Sequence, residues 1–355
     1  MEEVLKKANF IPGKWNSPAV REGDDFGIIN FQSKLCSYKA RTGGCTFCTL
    51  ENRNLGNSSY ESQFDYAMNQ FFNRKKKNLL LFNRNFFDEK ELPRENRINL
   101  LKLAKGYATE TITIESRPEY ITNKRLKEMR EILGDLEIDI SLGIESANDF
   151  IREYYHHKGF TMKEFYQSKR VMDNYGASFV PFVFIKPYFM TESLAIKDGV
   201  KSIEKMLDLG AKRVSVQPLM IFEGGLGELL MNCDKASPPS LWSLYEIIKQ
   251  VGNNSEVLVH AIDPKKMSPV PLRMANSCED SAPLLRQILS GKQKLIDVPE
   301  YPSREDWRNL LLNEERLDPA ERIILGYQFL KDVLSINAQI PKDKIRRDYE
   351  KTYNW

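Results

Sequence analysis

From about residue 26 to residue 262 the chain alternates between two hydrophobic patterns. Short runs rich in Ile, Val, Leu, Phe and Thr predict strands over Phe26–Phe31, Asn78–Asn83, Thr111–Glu115, Glu137–Gly143, Ser178–Ile185, Arg213–Gln217 and Glu256–His260. Between them, apolar residues recur at helical spacing over Tyr60–Arg74, from near Pro93, up to Tyr175, over Thr191–Leu209 and over Leu241–Val251. Asn123 predicts a helix start and Gly134 its end: an Asx side chain caps the first amides, and glycine accepts a left-handed turn. The stretch before Tyr175 is expected to break near Gly159 into two helices. Pro181, inside its strand, requires a bulge or a missing ladder bond. Strand–helix alternation of this kind predicts an α/β fold with six or seven parallel strands.

After about residue 263 the pattern changes to proline-punctuated helices. Ser303–Asp306 and Asp318–Glu321 both carry helix-start chemistry, with Pro319 at a first helical position. The expected organisation is an N-terminal extension over 1–25, a barrel over 26–262 and a C-terminal helical cap over 263–355. At 355 residues the chain can bury one α/β barrel with an appendage, or two smaller domains. A net charge of +3, from 52 basic and 49 acidic residues, excludes a protein that grips nucleic acid unaided. The Met1–Lys7 start lacks an apolar stretch, and no run approaches the roughly 20 apolar residues of a membrane helix.

Three of the five cysteines, Cys36, Cys45 and Cys48, stand close together, and Gly43 and Gly44 before the second give the backbone freedom to curl. Five cysteines so arranged are not a disulfide framework, so a reduced, cytoplasmic setting is expected. Three soft thiolates aimed at one centre suit iron–sulfur or zinc. The only histidines are His156, His157 and His260, none near enough in sequence to close a four-ligand zinc site. On a four-iron cluster, three thiolates leave one iron open.

In parallel sheets, ligands gather where strands end and their following loops begin. Asn83 and Asn85 follow the second predicted strand, Glu115 ends the third, and Glu145 and Ser146 follow the fourth. Lys158 lies in the run His157–Thr161. The structural alternatives are a polar loop for the asparagines, salt bridges for the glutamates and a helix-end cation for Lys158. His156 and His157, as neighbours on a helix, are expected to point to different faces, so that at most one meets the site. Lys186-Pro187 and Gln217-Pro218 end the next two strands, placed either for adenine or substrate contact or merely to turn the chain.

The run Arg41–Cys48, with Phe47 before the last cysteine, resembles the cluster loop of radical S-adenosylmethionine (SAM) enzymes. Its eight residues between Cys36 and Cys45 resemble the Elongator-subunit-3-like branch. The resemblance implies a partial or near-complete parallel (β/α) radical SAM barrel with a C-terminal helical cap. It implies a [4Fe-4S] cluster on Cys36, Cys45 and Cys48, with SAM chelating the open iron. Glu115-Ser-Arg-Pro and Gly143-Ile-Glu-Ser resemble the family's Glu-x-Arg-Pro and Gly-(Gln/Glu)-(Ser/Thr) motifs, which implies Glu115, Glu145 and Ser146 as SAM contacts. Lys158 takes the place of a basic residue that meets the SAM carboxylate. Asn83 and Asn85 stand where many members carry a Gly-Gly-Glu-like motif against the SAM amino group, and here both glycines are missing.

Glu115–Ile121, Gly143–Asp149, Lys158–Thr161 and Pro238–Ser243 further resemble archaeosine-biosynthesis radical SAM proteins, over about 26 to 250. That implies cleavage of a carbon–nitrogen bond on a lysine-modified deazaguanine in tRNA, beside a tRNA-binding partner. Three departures bear on that substrate: a single Cys278 near the C-terminus, the missing glycines after the second strand and the near-neutral charge. The charge favours a peptide or amino-acid side chain instead, as in splicease-type relatives that modify natural-product precursors. In either case the resemblance implies one electron from a flavodoxin or ferredoxin, reductive SAM cleavage to a 5′-deoxyadenosyl radical, and C–N or C–C bond cleavage in a substrate that a small partner protein delivers. A different class stays open, a zinc-binding, non-catalytic partner subunit.

Overall fold

One sheet of eight strands runs in the order of the chain: β1 (Ala19–Glu22), β2 (Phe26–Asn30), β3 (Lys76–Phe82), β4 (Ala108–Ser116), β5 (Glu137–Glu145), β6 (Ala177–Ile185), β7 (Val214–Pro218) and β8 (Val257–Val259). β1 pairs antiparallel with β2, and from β2 onward every pairing is parallel. The computed structural model describes residues 19–31, 36–48, 59–70, 75–252, 256–260, 271–276, 279–292, 298–314, 318–337 and 339–352. Each crossover advances one strand in the same direction. Because such connections are right-handed, the intervening helices all fall on one face. A sheet covered on one face only curls about the other, giving a half-barrel.

The helices are α1 (Ser37–Thr42), α2 (Tyr60–Gln70), α3 (Arg94–Tyr107), α4 (Asn123–Leu133), α5 (Asp149–Tyr154), α6 (Met162–Asn174), α7 (Glu192–Asp208), α8 (Leu226–Asn232), α9 (Leu241–Val251), α10 (Ala282–Leu289), α11 (Pro302–Glu314), α12 (Pro319–Val333) and α13 (Lys342–Thr352). Strand register shows how the two faces of the sheet divide. Ile29, Leu81, Ile114 and Ile140 are paired across four strands, and all are fully buried on one face. Thr113 pairs with Asp139 and Glu115 with Ser141, on the opposite face. Thr111, Thr113 and Glu115 thus form a polar row along the concave wall, and Glu115 is its carboxyl-end member.

The C-terminal helices pack onto this frame through aromatic hydroxyls. Tyr327 on α12 donates to Tyr154 O at 3.0 Å, and Tyr155 OH donates to Pro319 O at 2.8 Å. Tyr154 OH reaches Asp348 Oδ2 on α13 at 2.6 Å. Gly326 faces Phe189, where a Cβ would stand 2.5 Å from the ring. Among the described residues no helix is long and apolar enough to cross a membrane.

Several elements depart from the sequence expectation. The residues assigned to an N-terminal extension include β1, a short edge strand. Thr122, not Asn123, caps α4: its side chain accepts from Arg125 N at 3.4 Å, supplying the same oxygen one position earlier. The helix expected over Tyr60–Arg74 is described through Gln70, and 71–74 lie outside the described residues, as do Cys278 and the expected boundary near 262. Pro181 pairs with Leu142 within β6, the register shift falls on β5 between Gly143 and Glu145, and pairing with β7 begins only at Phe182.

Candidate cofactor site at the carboxyl ends of the strands

The cysteine loop follows β2. Cys36 is the N-cap of α1, and Gly43 and Gly44, with φ of 88° and 86°, reverse the chain after it. The loop is then stapled to the turn between α5 and α6. Thr46 donates through its amide to His156 O at 3.1 Å and through its hydroxyl to Tyr155 O at 2.6 Å. Tyr38 OH donates to His157 O at 2.8 Å, and His157 Nδ1 lies 2.8 Å from Gly44 O. Arg117 donates to Lys158 O at 2.6 Å, its guanidinium 4.0 Å over the Tyr38 ring. Phe47 stacks on Phe184 at 4.4 Å, and the edge of His156 meets both rings.

Both histidines therefore face the cysteine loop, which corrects the expectation of at most one. The reason is local: α5 ends at Tyr154, so His156 and His157 lie in a turn, His157 with a φ of 51°. His156 is fully buried with neither ring nitrogen bonded, and burial, with Lys158 and Arg152 adding to it, holds its pKa well below the usual value.

On the β3 side the two asparagines separate. Asn83 is buried and neither atom of its amide has a partner. Asn85 Nδ2 donates to Glu91 Oε1 at 2.6 Å and lies 3.7 Å from Cys36 Sγ. Burial, opposed by the Asn85 hydrogen bond, pushes Glu91 up to about 7.

Glu145 and Lys158 form a buried ion pair at 2.9 Å. Burial pushes Glu115 up to about 7, against a backbone N–H from Arg84 and the charge of Lys158, while Glu145 reinforces the rise. Those couplings place Glu115, Glu145, Lys158 and Arg84 together. Arg84, Glu145 and Lys186 have φ of 74°, 64° and 60°, left-handed backbone at the ends of β3, β5 and β6. Strain of this kind concentrates where side chains are aimed at a ligand. Lys186 is nonetheless engaged, 2.7 Å from Glu192 Oε1 and 2.9 Å from Ser237 Oγ. Ser146 stands apart: its hydroxyl donates to Asp198 at 2.6 Å and accepts from Asn148 N, which commits it to the fold. Sequence reasoning missed Glu91 and Asp198, which lie in no run with spacing that marks them, and it passed over Tyr38 inside the cysteine loop and Arg117 inside the Glu115-Ser-Arg-Pro motif.

The thiols fit a cluster. Burial pushes Cys36 up to about 12, with Glu91, Cys48 and Cys45 adding to it. Burial also raises Cys45, against Lys158 and Arg117 and with Cys48. The raised Cys36 and Cys45 thiols would need a cationic group beside them to exist as thiolates. Cys36, Cys45 and Cys48 are the residues that would hold an iron–sulfur group.

No family model matches the chain. It is 35% identical over 247 residues to an uncharacterized protein of Methanocaldococcus jannaschii, spanning 64% of this chain and 66% of that protein, just under two thirds of its length. It is 27% identical over 335 residues to archaeosine synthase subunit beta of Methanosarcina acetivorans, spanning 88% and 95%. It is 31% identical over 164 residues to the protein of that name from Thermococcus kodakarensis, spanning 46% and 50%. Among solved structures, methylornithine synthase overlaps with a TM-score of 0.49 at 13% identity, over 98% of this chain and 89% of the other. The Elp3 of Methanocaldococcus infernus overlaps with 0.44 at 14%, over 61% and 55%. With a three-cysteine loop at the carboxyl end of its parallel half-barrel, the chain is similar over most of its length to a protein named archaeosine synthase subunit beta.

Proposed function

We propose that this chain is the radical SAM subunit of an archaeosine-synthase-type enzyme, acting on a lysine-modified deazaguanine in tRNA beside a separate tRNA-binding subunit. The observation that carries the reading is the cysteine loop clamped to the turn that bears Lys158, with Glu145 paired to that lysine. Two relatives are named archaeosine synthase subunit beta, which supports a tRNA-modifying reaction carried out in company with another subunit. A partner that binds RNA removes the objection from the net charge of +3, because this chain need not hold the polyanion itself.

When bound, the cluster and SAM supply a carbon-centred radical able to remove hydrogen from an unactivated carbon. The protein's own residues bind and orient. Asn83 offers an unpartnered acceptor for the SAM ammonium, and Glu115 offers a carboxylate for ribose hydroxyls. Lys158, fixed by Glu145, presents positive charge toward the SAM carboxylate. Phe47, Phe184 and His156 wall the loop and exclude water. A flavodoxin or ferredoxin serves as electron donor, and a reduced cytoplasmic setting suits the loop.

The test is anaerobic reconstitution followed by dithionite and SAM, with 5′-deoxyadenosine measured with and without tRNA carrying the lysine-modified base. Substrate-stimulated formation supports the reading, and a triple Cys→Ala variant should form none. Product formation by that variant contradicts the assignment. The peptide reading keeps the near-neutral charge in its favour and predicts no tRNA stimulation even with the partner present. Zinc at one per chain without iron would indicate the non-catalytic module.

A further inference from the structure

Glu91 is fully buried in the turn after β3, and its carboxylate reaches both flanks of Cys36. Oε1 accepts from the Ser37 amide, the first of α1, at 3.0 Å, and from Asn85 Nδ2 at 2.6 Å. The other hydrogen of that Asn85 amide is left for Cys36 Sγ, 3.7 Å from the nitrogen. Both neighbours are acceptors, which fixes the nitrogen on this side, since an amide oxygen there would repel each of them. Tyr60 on α2 pins Glu91 from behind, donating to its carbonyl at 2.8 Å. Asp88, in the same turn, accepts from the Ser37 hydroxyl, which also meets Tyr120 OH at 3.0 Å.

We propose that Glu91 is a positioning residue for the cluster ligand Cys36, holding the Asn85 amide so that it donates to the sulfur. The inference rests on the radical SAM reading of the site. It assigns the two asparagines different tasks: Asn83 keeps an unpartnered amide for a ligand, while Asn85 serves the sulfur. An N–H donor to a ligating sulfur stabilises the added negative charge of a reduced cluster, so its loss lowers the reduction potential. Glu91 acts through Asn85 and needs no contact with iron. Glutamine can reproduce the geometry, because its carbonyl accepts the same two donors and its NH₂ takes the place of Oε2, which has no partner.

The test compares the full-length wild type, Glu91→Gln, Glu91→Ala and Asn85→Ala after anaerobic reconstitution without substrate. The readouts are iron and sulfide per chain after desalting, and the cluster midpoint potential from an EPR-monitored redox titration. Asn85→Ala and Glu91→Ala should both shift the midpoint to more negative potential. Glu91→Ala should also retain less iron, since it frees the Ser37 amide as well, and Glu91→Gln should resemble wild type on both counts. Wild-type potential in both alanine variants overturns the inference, as does iron loss in Glu91→Gln equal to that in Glu91→Ala. If Glu91→Ala fails to fold by circular dichroism, Asn85→Ala decides alone. A wild type that shows no cubane signal sinks the reading of the site itself, a result distinct from failure of the positioning role.

Discussion

Lys158 Nζ lies 2.9 Å from Glu145 Oε1, and the pair sits against the α-carbon of Gly143. A methyl group on Gly143 would stand 2.5 Å from that carboxylate oxygen and 2.7 Å from the ammonium. The glycine therefore makes room for a buried ion pair at the end of a barrel strand. Gly143→Ala should displace the pair and cost about 1–3 kcal/mol. Lys158→Met should cost more, about 3–5 kcal/mol, because it leaves Glu145 buried without its cation. Urea midpoints at constant m-value check both, and a Gly143→Ala midpoint equal to wild type would show that the pair is not seated against the glycine.

The same pair shows what the sequence could and could not reveal. Glu145 and Lys158 stand out because strand ends are where ligands gather, and the motif resemblance named them. Their mutual contact was not legible, since it depends on the left-handed backbone at Glu145 and on the break of α5. Glu91 had no mark at all: it lies in an irregular turn with no period, and its partners Ser37 and Asn85 come from two other segments. The parallel strands were legible as apolar runs, because one face of the sheet is packed with Ile and Leu residues such as Ile29, Leu81, Ile114 and Ile140. β1 was not, being a four-residue edge strand paired on one side only. The two histidines were misjudged because helical periodicity was extended past Tyr154, where the capped N-terminus of α6 belongs to a new helix.

Gly159 has a φ of 65°, and a Cβ there would stand 2.5 Å from Tyr38 OH. Both the backbone and the contact oppose a side chain, and Tyr38 is one of the staples of the cysteine loop. Gly159→Ala should destabilise by at least about 1–2 kcal/mol from the left-handed backbone alone. It should also reduce the iron retained per chain after reconstitution. Thermal melting and iron analysis of the same preparation test this, and full iron retention would show that the Tyr38 contact does not hold the loop.

Asp198 is buried beneath the turn after β5 and accepts from Ser146 and Ser202 hydroxyls at 2.6 and 3.3 Å. Burial pushes its carboxyl from an ordinary 3.8 up to about 7, against those hydrogen bonds and Arg152. A raised folded-state pKa means that the folded chain binds the proton more tightly than the unfolded chain. The resulting stabilisation is complete below pH 3.8, declines above it and is gone once the pH has risen through about 7. Its upper bound is about 4 kcal/mol, at roughly 1.4 kcal/mol per pH unit. Asp198→Asn, which cannot ionise, should flatten the fall in stability between pH 5 and pH 7.5. Urea titrations at both pH values measure the slope, and an unchanged slope in the variant would assign the pH dependence elsewhere.

Phe47 is the lid of the cage around His156, stacked on Phe184 and 5.8 Å from Lys158 Nζ. With both ring nitrogens buried and unbonded, the imidazole stays neutral in the fold while the unfolded chain takes up a proton near pH 6.5. A depressed folded-state pKa of this kind makes the protein lose stability as the pH falls through about 6.5. Phe47→Ala should admit water to His156, bring its pKa back toward 6.5 and weaken that acid dependence, at a cost of about 1 kcal/mol in lost stacking. The chain has only three histidines, so their C2 proton resonances can be followed individually across pH. In wild type one of them should titrate well below pH 6.5, and in Phe47→Ala it should move back toward that value. A wild-type His156 that titrates normally would mean that the cage is open to water and that Phe47 does not seal the cysteine loop.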